Sequence, residues 1–297
     1  MFTSSKPFAA CPVVLALAIT GCGASVSSNN GNNGGGSAPQ FTPVGIQGQY
    51  EVEAISAANP GSVSLIEVNF NQTDTSVSAS KGNVVVIGGT QNTSTGVITL
   101  QTVGGECDNH ALGQDTVQGT FSAAAQANIT LTEYDSGTAT ANVTFSSDGS
   151  KITSGSYSVP AQCTYPADSG RVIGVRVPQF SGSYAGMLTS SSLGTNAFIV
   201  TVSQSGVSMN VSGTMSGTPF IMSGSVVGAI FDVAGTISGQ SMEALGLYDI
   251  VNNDFVIYDN QGNYLGQLNA GTNPQAATKS TVRLKAPQFL RIDQLDY

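Results

Sequence analysis

The sequence predicts an all-β protein built from two repeated antiparallel β-meander domains, each a small barrel or sandwich. Apolar and polar residues alternate along many short segments, as they do in half-buried antiparallel strands. Charged residues make up only 9% of the chain and glycine supplies 36 of its 297 residues, which is typical of short strands joined by tight turns. A similar series of strand segments then occurs twice.

Residues 1–21 have the pattern of a signal peptide. Met1–Lys6 carries one positive charge, and Pro7–Ile19 is almost wholly apolar but too short to span a bilayer. The next four residues are Ile19-Thr20-Gly21-Cys22, an aliphatic residue, two small residues and a cysteine. This motif resembles the lipobox of bacterial lipoproteins.

The resemblance to bacterial lipoproteins implies cleavage before Cys22 and acylation of its thiol, with palmitate among the attached chains. More than one acyl chain anchors a protein stably to a membrane. In lipoproteins of diderm bacteria an Asp after the cysteine retains the protein at the inner membrane, so Gly23 favours the outer membrane. The alternatives are an ordinary signal peptide with an accidental cysteine, and a buried apolar strand. Cys11 matches no such pattern.

Residues 22–40 are predicted to form a flexible tether. They are rich in Gly, Ser and Asn and offer almost nothing to bury, so they cannot offset the entropy of ordering. As a flexible coil the segment spans roughly 20–25 Å on average. The tether would hold a folded body clear of the membrane surface.

The two predicted β domains cover residues 41–177 and 178–272. "GQYEVEAIS" from Gly48 matches "GSYAGMLTS" from Gly182, and the hairpin that follows each segment also matches. A later match pairs the segment that begins at Val117 with the one that begins at Val233. These matches indicate an internal duplication.

The second copy is the more regular of the two. It divides into up to eight short strand signals between Gly182 and Leu268, with turn signals such as Ser216-Gly217 and Ser238-Gly239 between them. The first copy carries an insertion at roughly residues 88–116. Whether the strands of the two copies form two domains or one composite fold stays open at this point.

The opening Gly-x-Tyr at Gly48 and Gly182 is faintly similar to the Gly-x-Trp that begins lipocalin barrels. The resemblance implies a small β-barrel. The chain contains no Trp, and the second copy is much shorter than a lipocalin. Each tyrosine is expected to be a core residue of the first strand of its copy.

Cys107 and Cys163 are predicted to form a disulfide. They remain once Cys11 and Cys22 are assigned to the N-terminal segments, and an even pair in an exported chain favours a disulfide. In the chain-entropy model a loop of this length contributes about 4 kcal/mol. Two free thiols or a metal-binding pair are the alternatives.

Residues 273–297 are predicted to add a C-terminal strand. Four of the nine basic residues lie here, at Lys279, Arg283, Lys285 and Arg291. A solvated terminal strand explains them better than a docking surface or a contact with anionic lipid. The net charge of −9 and the absence of a basic stripe exclude nucleic acid as the expected partner.

No catalytic or metal site is predicted, and no cofactor. The single histidine, His110, lies in the inserted loop near Glu106 and Asp108, and no G-x-S-x-G nucleophile elbow is present. A metal site of these three side chains and a hydrolase centred on His110 are the alternatives. The acidic residues 254–262 are interpreted as a hairpin turn rather than a calcium loop.

The sequence therefore predicts a lipid-anchored cell-envelope protein that acts as a non-catalytic binding module. Its expected partner is a glycan, a small apolar ligand or another envelope protein. The alternative is a structural or adhesive surface lipoprotein without a discrete ligand, and an enzyme comes third. An apolar cavity inside either barrel would favour ligand binding.

Lipidation at Cys22 can be tested by metabolic labelling. The wild-type chain, expressed in a diderm bacterium with labelled palmitate, is expected to carry label and to sediment with membranes. Cys22→Ala is expected to lose both properties, while Cys11→Ala keeps them. Equal labelling of the Cys22→Ala and wild-type chains would refute the lipobox interpretation.

Overall fold

The computed structural model describes residues 41–91, 98–100, 115–133, 137–161, 166–191, 194–250, 252–259 and 263–274. The predicted signal peptide, Cys22, the tether and all but the first two residues of the C-terminal segment lie outside these ranges. The described residues, from Phe41 onward, form one compact unit. Within the described ranges no helix is long and apolar enough to cross a membrane.

The described residues form eighteen strands. The first ten are β1 (Gly48–Ser56), β2 (Ser62–Thr73), β3 (Ser76–Ala79), β4 (Val84–Gln91), β5 (Ile98–Leu100), β6 (Thr116–Ala123), β7 (Gln126–Glu133), β8 (Gly137–Phe145), β9 (Lys151–Val159) and β10 (Asp168–Arg176). The other eight are β11 (Ser181–Ser190), β12 (Gly194–Ser205), β13 (Ser208–Met215), β14 (Thr218–Val227), β15 (Ile230–Ile237), β16 (Gln240–Asp249), β17 (Asp254–Tyr258) and β18 (Tyr264–Ala270).

The first copy closes into an eight-stranded antiparallel barrel. The ring runs β1-β2-β3-β6-β7-β8-β9-β10, and β1 pairs with both β2 and β10 to close it. Strand β4 continues the wall beyond β3, because it pairs with the same edge of β2 as β3 does, and β5 extends the sheet from β4. β4 pairs with β2 from Val68↔Val84 to Ser62↔Thr90, and β5 pairs with β4. The predicted insertion thus begins within β4 and ends where β6 starts.

The second copy closes into a barrel of its own. Strands β11 to β18 follow one another around the ring, and β18 pairs back with β11. The eight strand signals predicted between Gly182 and Leu268 are confirmed. Ser238 and Gly239 both have positive φ (53° and 78°), as a two-residue hairpin turn requires. Each ring takes its strands from one copy only, so the described residues do not form a composite barrel.

The same hydrogen bond opens both barrels and supports the duplication. The backbone N–H of Ile46 donates to Gln72 Oε1 at 2.7 Å, and that of Phe180 donates to Gln204 Oε1, also at 2.7 Å. Each glutamine lies near the end of the second strand of its ring. The glutamine thereby holds the segment that precedes the first strand, so that this segment crosses the end of the barrel.

The Gly-x-Tyr segments also adopt the same conformation in both copies. Gly48 and Gly182 have φ of 125° and 126°, a backbone that disfavours side chains. Tyr50 and Tyr184 are both buried in their cores, as expected from the sequence.

One part of the sequence match is shifted by one strand. The match between the segments that begin at Val117 and Val233 aligns β6 with β15. The hydrogen bonds show instead that β6 is equivalent to β14. Phe121 in β6 donates its N–H to Thr75 O, and Val226 in β14 donates to Val207 O, both at 2.8 Å. Thr75 and Val207 lie in the equivalent β2–β3 and β12–β13 turns. Successive hairpins have similar alternating patterns, so the sequence alone does not fix their order in the ring.

One end of the first barrel is closed by aromatic side chains. The ring centroid of Phe145 lies 6.3 Å from that of Tyr50 and 5.8 Å from that of Phe121. The Tyr50 hydroxyl donates to the carbonyl of Gly149 and accepts from Arg176 Nε at 3.1 Å. The buried hydroxyl of Tyr50 therefore has hydrogen-bond partners, as buried tyrosine hydroxyls usually do.

The second barrel has a larger aromatic core at the corresponding end. Its ring centroids are 4.6–6.5 Å apart, mostly in edge-to-face or tilted arrangements. The residues involved are Phe180, Tyr184, Phe231, Tyr248 and Phe255.

The two barrels are in contact through the outer wall of the first. Leu65 in β2 and Ile87 in β4 are 4% and 1% exposed and belong to the same hydrophobic cluster as the second core. Both lie on the face opposite to the first barrel's interior, because successive side chains of a strand alternate. The wall formed by β2 and β4 is therefore buried on both faces.

Two polar side chains of the first barrel, Gln49 of β1 and Glu67 of β2, hold the β14–β15 turn. Gly228 N–H donates to Gln49 Oε1 at 2.6 Å, and Ala229 N–H donates to Glu67 Oε2 at 2.7 Å. Gly228 has a φ of 60°, and a Cβ there would lie 2.0 Å from Glu67 Oε2. Glycine is therefore required where the turn meets the glutamate.

Glu67 is a fully buried carboxyl at this contact. It is 0% exposed, and its Oε1 has no hydrogen-bond partner in the described part of the chain. Burial raises the pKa of Glu67 well above its usual value, and Glu51, directly opposite on β1, adds to the effect. Burial, with Glu53 and Asp249 nearby, raises the pKa of Glu51 to about 7. The contact is most favourable when these carboxyls are protonated.

The stability of the protein is expected to fall as pH rises from about 5 to 8. In this window the native carboxyls keep protons that the unfolded chain, with a glutamate pKa near 4.5, has released. The shift at Glu51 alone corresponds to a loss of about 3 kcal/mol. The free energy of unfolding, measured in urea at each pH, checks this.

Glu67→Gln is the informative variant, because it removes the charge and keeps an oxygen for Ala229. It is expected to be more stable than the wild type at pH 8 and to have a weaker pH dependence. The control Asp74→Asn changes an exposed acid of the β2–β3 turn, at a positive φ that asparagine tolerates, and should follow the wild type. Parallel curves for all three proteins would contradict the assignment.

Candidate functional site

The first barrel encloses an apolar cavity of about 110 Å³ in the half away from its aromatic end. None of the described lining residues has a charged side chain. Six of the apolar lining residues are Ile66, Val86, Ile129, Leu131, Ala139 and Ala141. The cavity is therefore suited to an uncharged, apolar occupant.

Strand alternation and register place these side chains in the cavity. Val52 and Ala54 of β1 point to the barrel interior, and their partners across the ladder, Ile66 and Ser64 of β2, point the same way. A small side chain at Ala54 leaves space where a large one would fill the barrel.

The repeat gives a direct comparison with the second barrel. Phe145 in β8 and Tyr248 in β16 are equivalent, since each donates its N–H to an alanine carbonyl of the β6–β7 or β14–β15 turn (2.7 and 2.8 Å). Counting back four residues along each strand makes Ala141 equivalent to Ala244.

The corresponding end of the second barrel is filled by larger side chains. Phe198 takes the place of Ile66, since each lies six residues before the glutamine of its ring, and Met242 takes the place of Ala139. The rings of Phe198 and Phe220 are 5.8 Å apart, and Met242 packs against the same cluster. The equivalent space is thus occupied by aromatic and thioether groups.

A polar network closes the mouth of the cavity. Tyr157 Oη donates to Asp168 Oδ2 at 2.6 Å, and Ser56 Oγ donates to Asp168 Oδ1 at 2.9 Å. Burial and the neighbouring carboxylate raise the pKa of Tyr157. Although partial burial opposes ionisation, the hydroxyl donors lower the pKa of Asp168. The mouth therefore carries a negative charge at neutral pH.

Tyr157 separates the cavity from an outer cleft. Its side chain lines both, and Ile55 and Arg171 line the cleft. Gly170 lies opposite Tyr157 on β10, where a Cβ would lie 2.8 Å from the tyrosine ring and 2.0 Å from Ile55 O. The missing side chain makes room for the ring at the mouth.

The site residues predicted from the sequence lie elsewhere. Cys22, the predicted Cys107–Cys163 disulfide, and Glu106, Asp108 and His110 all fall outside the described ranges. Within those ranges no group of three or more His, Cys, Asp or Glu side chains is arranged to hold a metal ion.

The acidic segment 254–262 is consistent with a hairpin turn. Its first five residues, Asp254–Tyr258, form β17, which pairs with β18. The carboxylate of Asp259 accepts hydrogen bonds from Asn263 N–H at 2.8 Å and from Asn263 Nδ2 at 2.9 Å. These bonds are those of an Asx-type turn, as the hairpin interpretation predicts.

The cavity is not predictable from a sequence motif. No motif marks its lining, and the one available signal is the contrast between small residues such as Ala139 and their larger equivalents in the second copy. The sequence match aligned β6 with β15 instead of β14. Ala139 in β8 was therefore not compared with its true equivalent, Met242 in β16.

Comparison of the chain with protein-family models, with curated proteins and with solved structures finds no match. The resemblances to bacterial lipoproteins at residues 19–22 and to lipocalins at Gly48 and Gly182 stay predictions. Functional inference for the described residues therefore depends on the geometry of the first barrel.

The cavity predicts opposite effects of one substitution in the two barrels. Ala141→Leu is expected to fill empty space and to stabilise the protein by up to about 2 kcal/mol. Ala244→Leu, at the equivalent position of the filled barrel, is expected to cost about 1–3 kcal/mol by overpacking. Scanning calorimetry of both variants measures the difference. Similar destabilisation by both would mean that the first barrel has no room to fill.

Proposed function

We propose that this chain is a lipid-anchored cell-envelope protein whose first barrel binds a small apolar molecule and catalyses no reaction on it. The observation that carries the proposal is the apolar cavity of about 110 Å³ inside that barrel. Of the partners expected from the sequence, a glycan would need several polar contacts, which this lining does not offer. An apolar ligand needs only burial.

The size of the cavity limits the ligand. An apolar cavity of about 150 Å³ engineered in another protein stays dry and takes up benzene or xenon. The first barrel is therefore suited to a single ring, a short branched alkyl group or the end of a longer chain. A lining of aliphatic side chains such as Val52, Ile66 and Leu131 supplies the apolar contacts.

The chemistry of the lining supports a non-catalytic role. Among the described lining residues only Ser64, Thr140 and Tyr157 have polar side chains. The Tyr157 hydroxyl is bonded to Asp168, and its raised pKa makes it a poor base at neutral pH. The lining thus offers no acid–base pair to a bound molecule.

The second barrel has a structural role in this proposal. Its interior is filled by aromatic and methionine side chains, and its β14–β15 turn is held against the first barrel by Gln49 and Glu67. It supports the wall formed by β2 and β4, from which Ile66 and Val86 point into the cavity. The anchor at Cys22 and the tether would hold both barrels within about 60 Å of the membrane.

Binding can be measured by ¹⁹F NMR with fluorobenzene as the probe. Protein lacking residues 1–40 is used, since the described residues from Phe41 onward form one compact unit. A dissociation constant on the order of 1 mM or tighter is expected for so small a ligand. Ala141→Leu, which fills the cavity, is expected to abolish binding.

Ala234→Leu provides the matched control, because it makes the same change at an exposed position of the second barrel. It is expected to bind fluorobenzene as the wild type does. Binding that survives Ala141→Leu, or that is absent from all three proteins, would refute the proposed function.

A further inference from the structure

Resting on the proposed binding function, we propose that the natural ligand is an uncharged, ring-sized molecule with a single hydrogen-bonding group, and that Ser64 recognises this group. Ser64 is thereby assigned as the specificity-determining residue of the cavity. The assignment follows from the state of each polar side chain in the lining.

Ser64 offers an unused hydroxyl to the cavity. It lies on β2 opposite Ala54, and it is one of the lining residues. Its side chain makes no hydrogen bond within the described part of the chain, although a serine hydroxyl can donate one and accept two. A polar ligand atom beside it would satisfy both partners.

The other two polar lining residues are not available in this way. Tyr157 Oη is bonded to Asp168 at the mouth. Thr140 lies between Ala139 and Ala141, which line the cavity, so its own side chain points to the outer face, where it is exposed. Among the described lining residues, Ser64 is therefore the inward hydroxyl whose donor and acceptor positions are both unused, whereas Tyr157 has already given its one proton to Asp168.

The surrounding charges favour a neutral ligand. The described lining residues include no cationic side chain, and the carboxylate of Asp168 lies at the mouth of the cavity. An anion would be both desolvated and repelled there. A cation would find a carboxylate that already accepts hydrogen bonds from Tyr157 and Ser56, and the described lining residues offer it no other acid. Burial of either charge without a partner is unfavourable.

The position of Ser64 also orients the ligand. Its partner Ala54 precedes Ser56 on the inner face of β1, and Ser56 belongs to the network at the mouth. The polar group of the ligand thus lies toward the mouth, and its apolar body lies deeper, toward Val68 and Phe70. One polar group is the limit, because a second one would be buried without a partner.

The test compares three probes by ¹⁹F NMR at pH 6.5: fluorobenzene, uncharged 4-fluorophenol and anionic 4-fluorobenzoate. The quantity of interest is the affinity for 4-fluorophenol relative to fluorobenzene. Ser64→Ala is expected to lower this ratio about tenfold, because the phenol hydroxyl is then buried without a partner. The affinity for fluorobenzene should change less than about twofold, and 4-fluorobenzoate should not bind.

Ser78→Ala, at an exposed serine on β3, is the matched control and should keep the wild-type ratio. If fluorobenzene binds but Ser64→Ala leaves the ratio unchanged, or if 4-fluorobenzoate binds as well as 4-fluorophenol, the ligand class is wrong and the proposed function stands. If fluorobenzene itself does not bind, the proposed function fails and this inference fails with it.

Discussion

The backbone ladder that closes each eight-stranded ring is the constraint on which the rest of the structure depends. In the first barrel β1 bonds to both β2 and β10, so the ring has no free edge. Once the ring is closed, strand parity decides which side chains point inward, and a slip of one residue would exchange the two faces. The interior volume is then set only by the residues at the inward positions.

The two copies use the same ring to make two different interiors. With Phe198 and Met242 at the positions of Ile66 and Ala139, the second barrel is filled at the end where the first is empty. Leaving about 110 Å³ unfilled costs on the order of 2–3 kcal/mol. The aromatic end of the first barrel and its doubly buried wall offset this cost. A binding cavity and a structural core therefore differ here by a few side chains and not by topology.

The strands and turns were predictable because their signals are local, whereas the cavity and the domain contact were not. Alternation and turn residues such as Ser238-Gly239 fix the number of strands in the second copy. The shifted match of β6 shows the limit, since neighbouring hairpins have nearly the same pattern. The cavity depends on the summed volumes of side chains from strands far apart in sequence, such as Ala54 and Ala141. Glu67 has the sequence pattern of a solvated strand residue, and only the approach of the second barrel buries it.

The contact at Glu67 is asymmetric, because the two barrels contribute different surfaces to it. The first barrel contributes its wall and the second its β14–β15 turn, so the pair lacks the self-complementary patch of a two-fold dimer. The equivalent of Glu67 in the second copy is Ile199, five residues before its ring's glutamine, and it is 38% exposed. An acid is buried and an aliphatic residue is solvated at the same position of the same ring. The two copies have thus become non-interchangeable, and their order along the chain is as much a part of the fold as the rings themselves.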